Sequence, residues 1–192
     1  MDLPEHPWFP IRTERLLLRE FRLADAADVH AYGSDPEVAR YMDWGPNDDA
    51  MTKAVMQRWM TIQETWPRED VNLAVEHLAD GRVIGSVRLG LKDPANRSAD
   101  LGHSYHRAYW RQGYGSEAAR AMMRVGFETL GLHRIWATAD IRNEGSWTLL
   151  AKLGMRREAH FVRDLFVKGH WRDTYLYAIL ADEWQAQNNT RI

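Results

Sequence analysis

The spacing of apolar positions changes period several times along this chain. Between 48 and 66, Val55, Trp59 and Ile62 recur at helical spacing, which predicts a helix closed by Pro67. From 71 to 77 apolar and polar residues alternate, the two-residue period of a strand. Asp80-Gly81 then supplies a tight hairpin turn into a partner strand over 83–91. A turn at 93–96 leads to a third antiparallel strand, 98–105. Helical spacing returns over 116–130, followed by a strand at 134–139 and a helix at 143–153 stopped by Gly154. Two last strands, 156–166 and 174–180, are joined through Lys168-Gly169. Ahead of the 48–66 helix the pattern predicts a strand at 15–19 continuing to Phe21 and entered through Thr13. Helices at 24–34 and 36–41 follow, the second with Asp35 as cap and Pro36 at its first position. The polar tail, 185–192, is expected to fray.

The order is strand, helices, antiparallel meander, helix, strand, helix, two strands: one mixed α/β domain without repeats or linker. Its length of 192 residues suits a single core. A net charge of −2 supplies no basic field for nucleic acid or anionic membrane. The absence of cysteine removes disulfides, thiolate metal sites and a cysteine nucleophile. The acidic, proline-broken start is unlike a signal peptide, and no apolar stretch reaches membrane-spanning length, so a cytoplasmic protein is expected.

The chemistry-bearing stretch is Trp110-Arg111-Gln112-Gly113-Tyr114-Gly115-Ser116-Glu117-Ala118. Glycines on both sides of one residue let the backbone take positive φ and approach a ligand closely. A helix starting at once turns its free N–H groups toward a phosphate. Ser116 is expected as the cap and Glu117 as the acid at the positive helix end. Gly113 to Ala118 also fits the dinucleotide pattern G-x-G-x-x-G/A, with Asp140 near the position of a ribose-binding acid. That reading needs a buried strand running into the first glycine and parallel βαβ units. Here a polar, aromatic loop precedes Gly113, and the strand before it closes an antiparallel meander.

The arrangement resembles the GNAT superfamily of acyl-CoA-dependent N-acyltransferases, in particular its RimJ/RimL-like branch of ribosomal-protein N-terminal acetyltransferases. The family's pyrophosphate motif Q/R-x-x-G-x-G/A falls on Trp110 to Gly115. Asn143-Glu144-Gly145-Ser146 matches the branch's N-x-x-S, and Leu153-Gly154-Met155 followed by Glu158 matches its K-L-G-F/M…E run. Trp110 departs from Gln or Arg, and Arg111 stands where the branch often has glycine. The resemblance implies the GNAT fold: a mostly antiparallel sheet of about seven strands, splayed between the fourth and fifth, with about four flanking helices. It implies acetyl-CoA as co-substrate and no metal. The pantetheine arm is expected on the main chain of Ser104 and Tyr105, as an added strand would pair. The pyrophosphate is expected on Arg111, Gln112, Gly113, Tyr114, Gly115 and Ser116, with Asn143 touching the arm and Ser146 donating to the leaving sulfur as the catalytic residue. An N-cap role for Asn143 stands beside that expectation.

The resemblance leaves the general base open among His103, Asp164 and a water relay. His103 and His106 lack the further ligands that a metal would need. Tyr41 and Trp44 are expected to wall the acceptor pocket, while Trp59, Trp66 and Tyr32 read as core. The acceptor is expected to be a protein or peptide N-terminal α-amine. A small amine, such as a polyamine, amino acid or antibiotic, and a non-catalytic CoA sensor are the alternatives. A homodimer is among the assemblies the resemblance allows.

Overall fold

A computed structural model describes residues 9–65 and 68–189. The expected helix end at Trp66 and Pro67 lies outside those residues. Elements in chain order are β1 (Ile11–Arg12), β2 (Leu16–Arg19), α1 (Ala26–Gly33), α2 (Pro36–Ala39), α3 (Asp49–Gln63), β3 (Asp70–His77), β4 (Val83–Asp93), β5 (Ser98–Tyr105), α4 (Tyr114–Arg124), β6 (Arg134–Asp140), α5 (Glu144–Lys152), β7 (Arg156–Val167), β8 (His170–Leu180) and α6 (Ala181–Asn189). One sheet of eight strands runs β1-β2-β3-β4-β5-β6-β8-β7. All neighbours pair antiparallel except β5 with β6. The added strand is the short edge β1, so the expected fourth and fifth strands are β5 and β6.

Local chemistry sets the helix ends. Asp48 Oδ1 accepts the Met51 N–H at 2.7 Å at the start of α3, and Asp35 Oδ1 accepts from Glu37 at α2. Asn143 Oδ1 accepts the Ser146 N–H at 3.2 Å, and Gly154, at φ +85°, ends the segment. The first long helix is entered through a 3₁₀ turn, Leu23–Asp25, rather than directly.

Two expectations change. α4 begins at Tyr114, with Gly113 at its cap in a left-handed conformation, so Ser116 sits within the first turn and does not cap it. A π-helical turn, Val125–Thr129, ends this segment. Residues 185–189, expected to fray, instead belong to α6 (Ala181–Asn189), and the rest of the expected tail lies outside the described residues. Trp184 there is 1% exposed, stacks on Phe127 at 5.6 Å and donates from Nε1 to Glu128 Oε1 at 3.2 Å. Burying an indole contributes about 3 kcal/mol, enough to offset the poor helix propensity of a polar end.

The sheet carries a core on each face. Leu18, Leu73, Val87, Leu101 and Ile135 pack with Ala118, Met122 and Leu150 on the α4–α5 side. Phe21, Val29, Tyr32, Met56, Ala74 and Val83 form a smaller core under α1 and α3. Between them, β5 and β6 pair only at Ser98↔Arg134, Ala99↔Ile135 and Asp100↔Trp136. Beyond Asp100 the two strands separate, and the gap between them positions the site.

Candidate active site

On the α4 side of the gap the site is made of main chain. Arg111 and Gly113 both take positive φ, +60° and +86°. None of the amides of residues 111–116 donates to another described group, the first helical bond being Glu117 N–H to Gly113 O at 3.0 Å. Six free N–H groups therefore cluster at the positive end of α4, the donor set that suits a diphosphate. Gly115 packs so closely that a Cβ would lie 2.8 Å from Leu149 Cδ1 and 3.2 Å from Tyr105 Cε2. The second glycine thus lets α4 settle onto β5 and α5.

Glu117 is the acid in the first turn of α4, as expected, and its carboxylate is held from β2. It accepts from Thr13 Oγ1 at 2.6 Å, from the Arg15 amide at 2.9 Å and from Arg15 Nε at 2.7 Å. Burial opposes its charge, but these hydrogen bonds and the Arg15 cation outweigh it and hold the carboxyl below its usual range. Arg15 also donates to Gln112 O at 3.0 Å and lies 4.4 Å over the Tyr114 ring. A clamp from β2 therefore fixes the loop. The Tyr114 hydroxyl is 3.1 Å from His77 Nε2, which leaves only its main chain facing a ligand.

Trp110, the departure from the family motif, donates from Nε1 to Tyr105 O at 2.7 Å. That carbonyl, expected to meet the pantetheine arm, already has a protein donor. The Ser104 hydroxyl is 3.1 Å from Ser86 Oγ.

A cavity of about 550 Å³ passes through the gap, lined from one face by Asn143, Ser146 and Leu150 and from the other by Tyr32, Tyr41, Trp44 and Trp59. It brings together Ser104, Asn143, Ser146, Tyr41, Trp44 and His103. Asn143 does cap α5, through Oδ1. The Ser146 hydroxyl makes no hydrogen bond to another described group and faces this space. His103 is pushed down to about 4 by burial, so it is neutral near pH 7 and a weak base. Asp164 is exposed on the outer strand β7 and does not line the cavity. Asp140 is 3% exposed and accepts from Arg142 at 2.6 and 2.9 Å, an ion pair rather than a ribose contact.

Sequence reasoning missed the cations and the tether on the α1–α3 side of the gap. Lys168, at the β7–β8 turn, donates to Ala39 O at 2.6 Å and Trp44 O at 2.8 Å and so ties down the loop carrying Tyr41 and Trp44. Arg172 donates from Nη1 to Tyr41 O at 3.2 Å. Arg58 and Arg88 also line the cavity. The alternation of β8 would have placed Arg172 on one face, but only the pairing of β8 with β6 brings that face to the gap.

Residues 15–156 match the family described as the acetyltransferase (GNAT) domain. This chain belongs to the GNAT acetyltransferases. It is 33% identical over 174 residues to the uncharacterized N-acetyltransferase YnaD of Bacillus subtilis, covering 91% of this chain and 98% of that one. Over 84 residues it is 34% identical to the [ribosomal protein uS5]-alanine N-acetyltransferase of Escherichia coli, 44% of this chain and 43% of the other. The crystal structure of the spermidine N-acetyltransferase from Vibrio cholerae in complex with CoA and spermine shares its fold, with a TM-score of 0.77 at 19% identity over 90% of this chain and 99% of that one. The protein is an acetyl-CoA-dependent N-acetyltransferase. The free amides at the start of α4 suit the diphosphate of that co-substrate. Among the described residues no helix is long and apolar enough to cross a membrane.

Proposed function

We propose that this GNAT enzyme acetylates the α-amine at a protein or peptide N-terminus, as the RimJ/RimL branch does. The observation that carries the reading is the state of the carboxylates around the cavity. Asp100 and Asp70 both bind Arg88, at 2.6 and 2.8 Å, and Asp140 binds Arg142. A polyamine carries several ammonium groups and would meet Asp43 as the one lining carboxylate without an ion pair among the described residues, with Asp70 and Asp100 sharing Arg88. A peptide needs only one amine site and a path for the chain behind it. A second groove of about 400 Å³ supplies that path, because it shares Asp43, Trp44, Arg58, Trp59, Asn72 and Arg88 with the cavity and continues along α3 and β3.

In this reading the amides of residues 112–116 hold the diphosphate, and Asn143 and the Ser104 main chain hold the pantetheine arm. Tyr41 and Trp44 wall the acceptor. The amine attacks the thioester carbonyl, the C–S bond breaks as the new C–N bond is kept, and the Ser146 hydroxyl donates to the departing thiolate. With His103 too weak a base and Asp164 elsewhere, the amine proton leaves by way of water. The chain acts as a single domain with its core over about residues 13–182.

The test is release of free CoA with a panel of hexapeptides bearing free or blocked N-termini and with spermidine. Turnover confined to free N-termini is expected. Turnover of spermidine with no peptide active would overturn the reading.

A further inference from the structure

Once the ion pairs of the two grooves are set aside, with Arg88 alone shared by Asp70 and Asp100, two guanidinium groups are left without a carboxylate partner. The Arg58 side chain makes no hydrogen bond or ion pair among the described residues and lines both grooves. Arg172 lines the cavity and spends only Nη1, on Tyr41 O. Asp43 is likewise without an ion pair among the described residues and feels the charge of Lys168. Planar guanidinium donors suit carboxylates and carbonyls better than they suit an amine.

We propose that the preferred acceptor is an acidic peptide N-terminus. A carboxylate side chain within the first few residues behind the amine binds Arg58, and a main-chain carbonyl of the same segment accepts from the terminal N–H groups of the Arg172 guanidinium that Tyr41 leaves free. This rests on the peptide reading above and adds the chemistry of the segment recognised. The positions agree with an extended chain. Arg172 sits on β8 beside the gap where the amine must arrive, and Arg58 lies where the cavity opens into the second groove along α3. An extended segment advances about 3.3 Å per residue, so side chains just behind the amine fall along that passage.

The experiment measures KM and kcat by CoA release for matched peptides, Ser-Asp-Glu-Ala-Ala-Trp and Ser-Lys-Lys-Ala-Ala-Trp. Spermidine runs in parallel, at low and at high salt. The acidic peptide is expected to show a KM about fivefold lower at low salt, the size suited to a largely exposed ion pair, and the gap is expected to shrink as salt rises. Arg58→Glu is expected to reverse the preference, and Arg58→Lys to retain it. Arg58 lies on the exposed side of α3, so both variants should fold, which circular dichroism checks. Peptide turnover with a KM independent of charge, or a preference unchanged in R58E, overturns this inference alone. Turnover of spermidine and of no peptide overturns it together with the peptide reading.

Discussion

The two sides of the gap are built from different materials. The α4 side presents main-chain N–H groups, set by two positive-φ residues and a helix start and held by a clamp from Arg15 and Glu117. The acceptor side presents side chains from α2–α3, β4 and β8, tied together by Lys168 reaching across to Ala39 and Trp44. The main-chain side can serve a group common to all acyl-CoA donors, because any residue supplies an amide. The side-chain side can change its acceptor without disturbing the other, because its residues lie outside the loop. On the proposed assignment, cofactor capture and acceptor choice are separable.

The largest effect expected from breaking one side alone is Gly115→Val. Its branched side chain must displace Leu149 and the Tyr105 ring, an overpacking cost of about 1–3 kcal/mol. Melting temperature should fall by several degrees and KM for acetyl-CoA should rise more than tenfold, read by thermal denaturation and steady-state kinetics. Ser146→Ala comes next. It should lower kcat about tenfold while leaving both KM values within about twofold, since its hydroxyl is proposed to act on the departing sulfur. Trp44→Ala should raise KM for the acceptor about fivefold and leave KM for acetyl-CoA unchanged, the mirror image of the glycine variant. Equal change in both constants would mean that the two sides are not separable.

The smallest effect concerns the clamp. Glu117 is held below its usual pKa, so its contribution to stability is present above the unfolded-state value and is lost as pH falls through the lowered one. Glu117→Gln should cost about 1 kcal/mol at pH 7. The difference in melting temperature between the two proteins should narrow as pH falls below the usual carboxylate range and through the lowered pKa. A difference that does not change with pH would place the role of Glu117 in packing rather than in charge.

The same contrast explains what could be read before the structure was seen. Periodicity located β3, β4, β5, β6 and α5 because one face of each is buried, and glycine spacing located the α4 loop because positive φ and close approach leave few other residues. The caps at Asp35 and Asn143 were legible for a local reason, a side-chain oxygen two or three residues from its amide. Longer-range features were not. Glu117 bonds residues 102 and 104 positions away, and Lys168 bonds carbonyls 124 and 129 positions away. The order of α6 depends on a single indole finding Phe127, which a polar composition conceals. His103 stood among the open candidates for the base on its ordinary pKa, whereas its burial in the gap, invisible to strand alternation, removes that strength.

The most direct test of separable sides is amide hydrogen exchange followed with CoA alone and then with an acidic acceptor peptide added. The account predicts that CoA protects residues 112–116 and leaves 41–44 and 58 nearly unchanged, and that the peptide then protects the second set. Protection by CoA centred on 41–44 and 58, with 112–116 still exchanging freely, would contradict it.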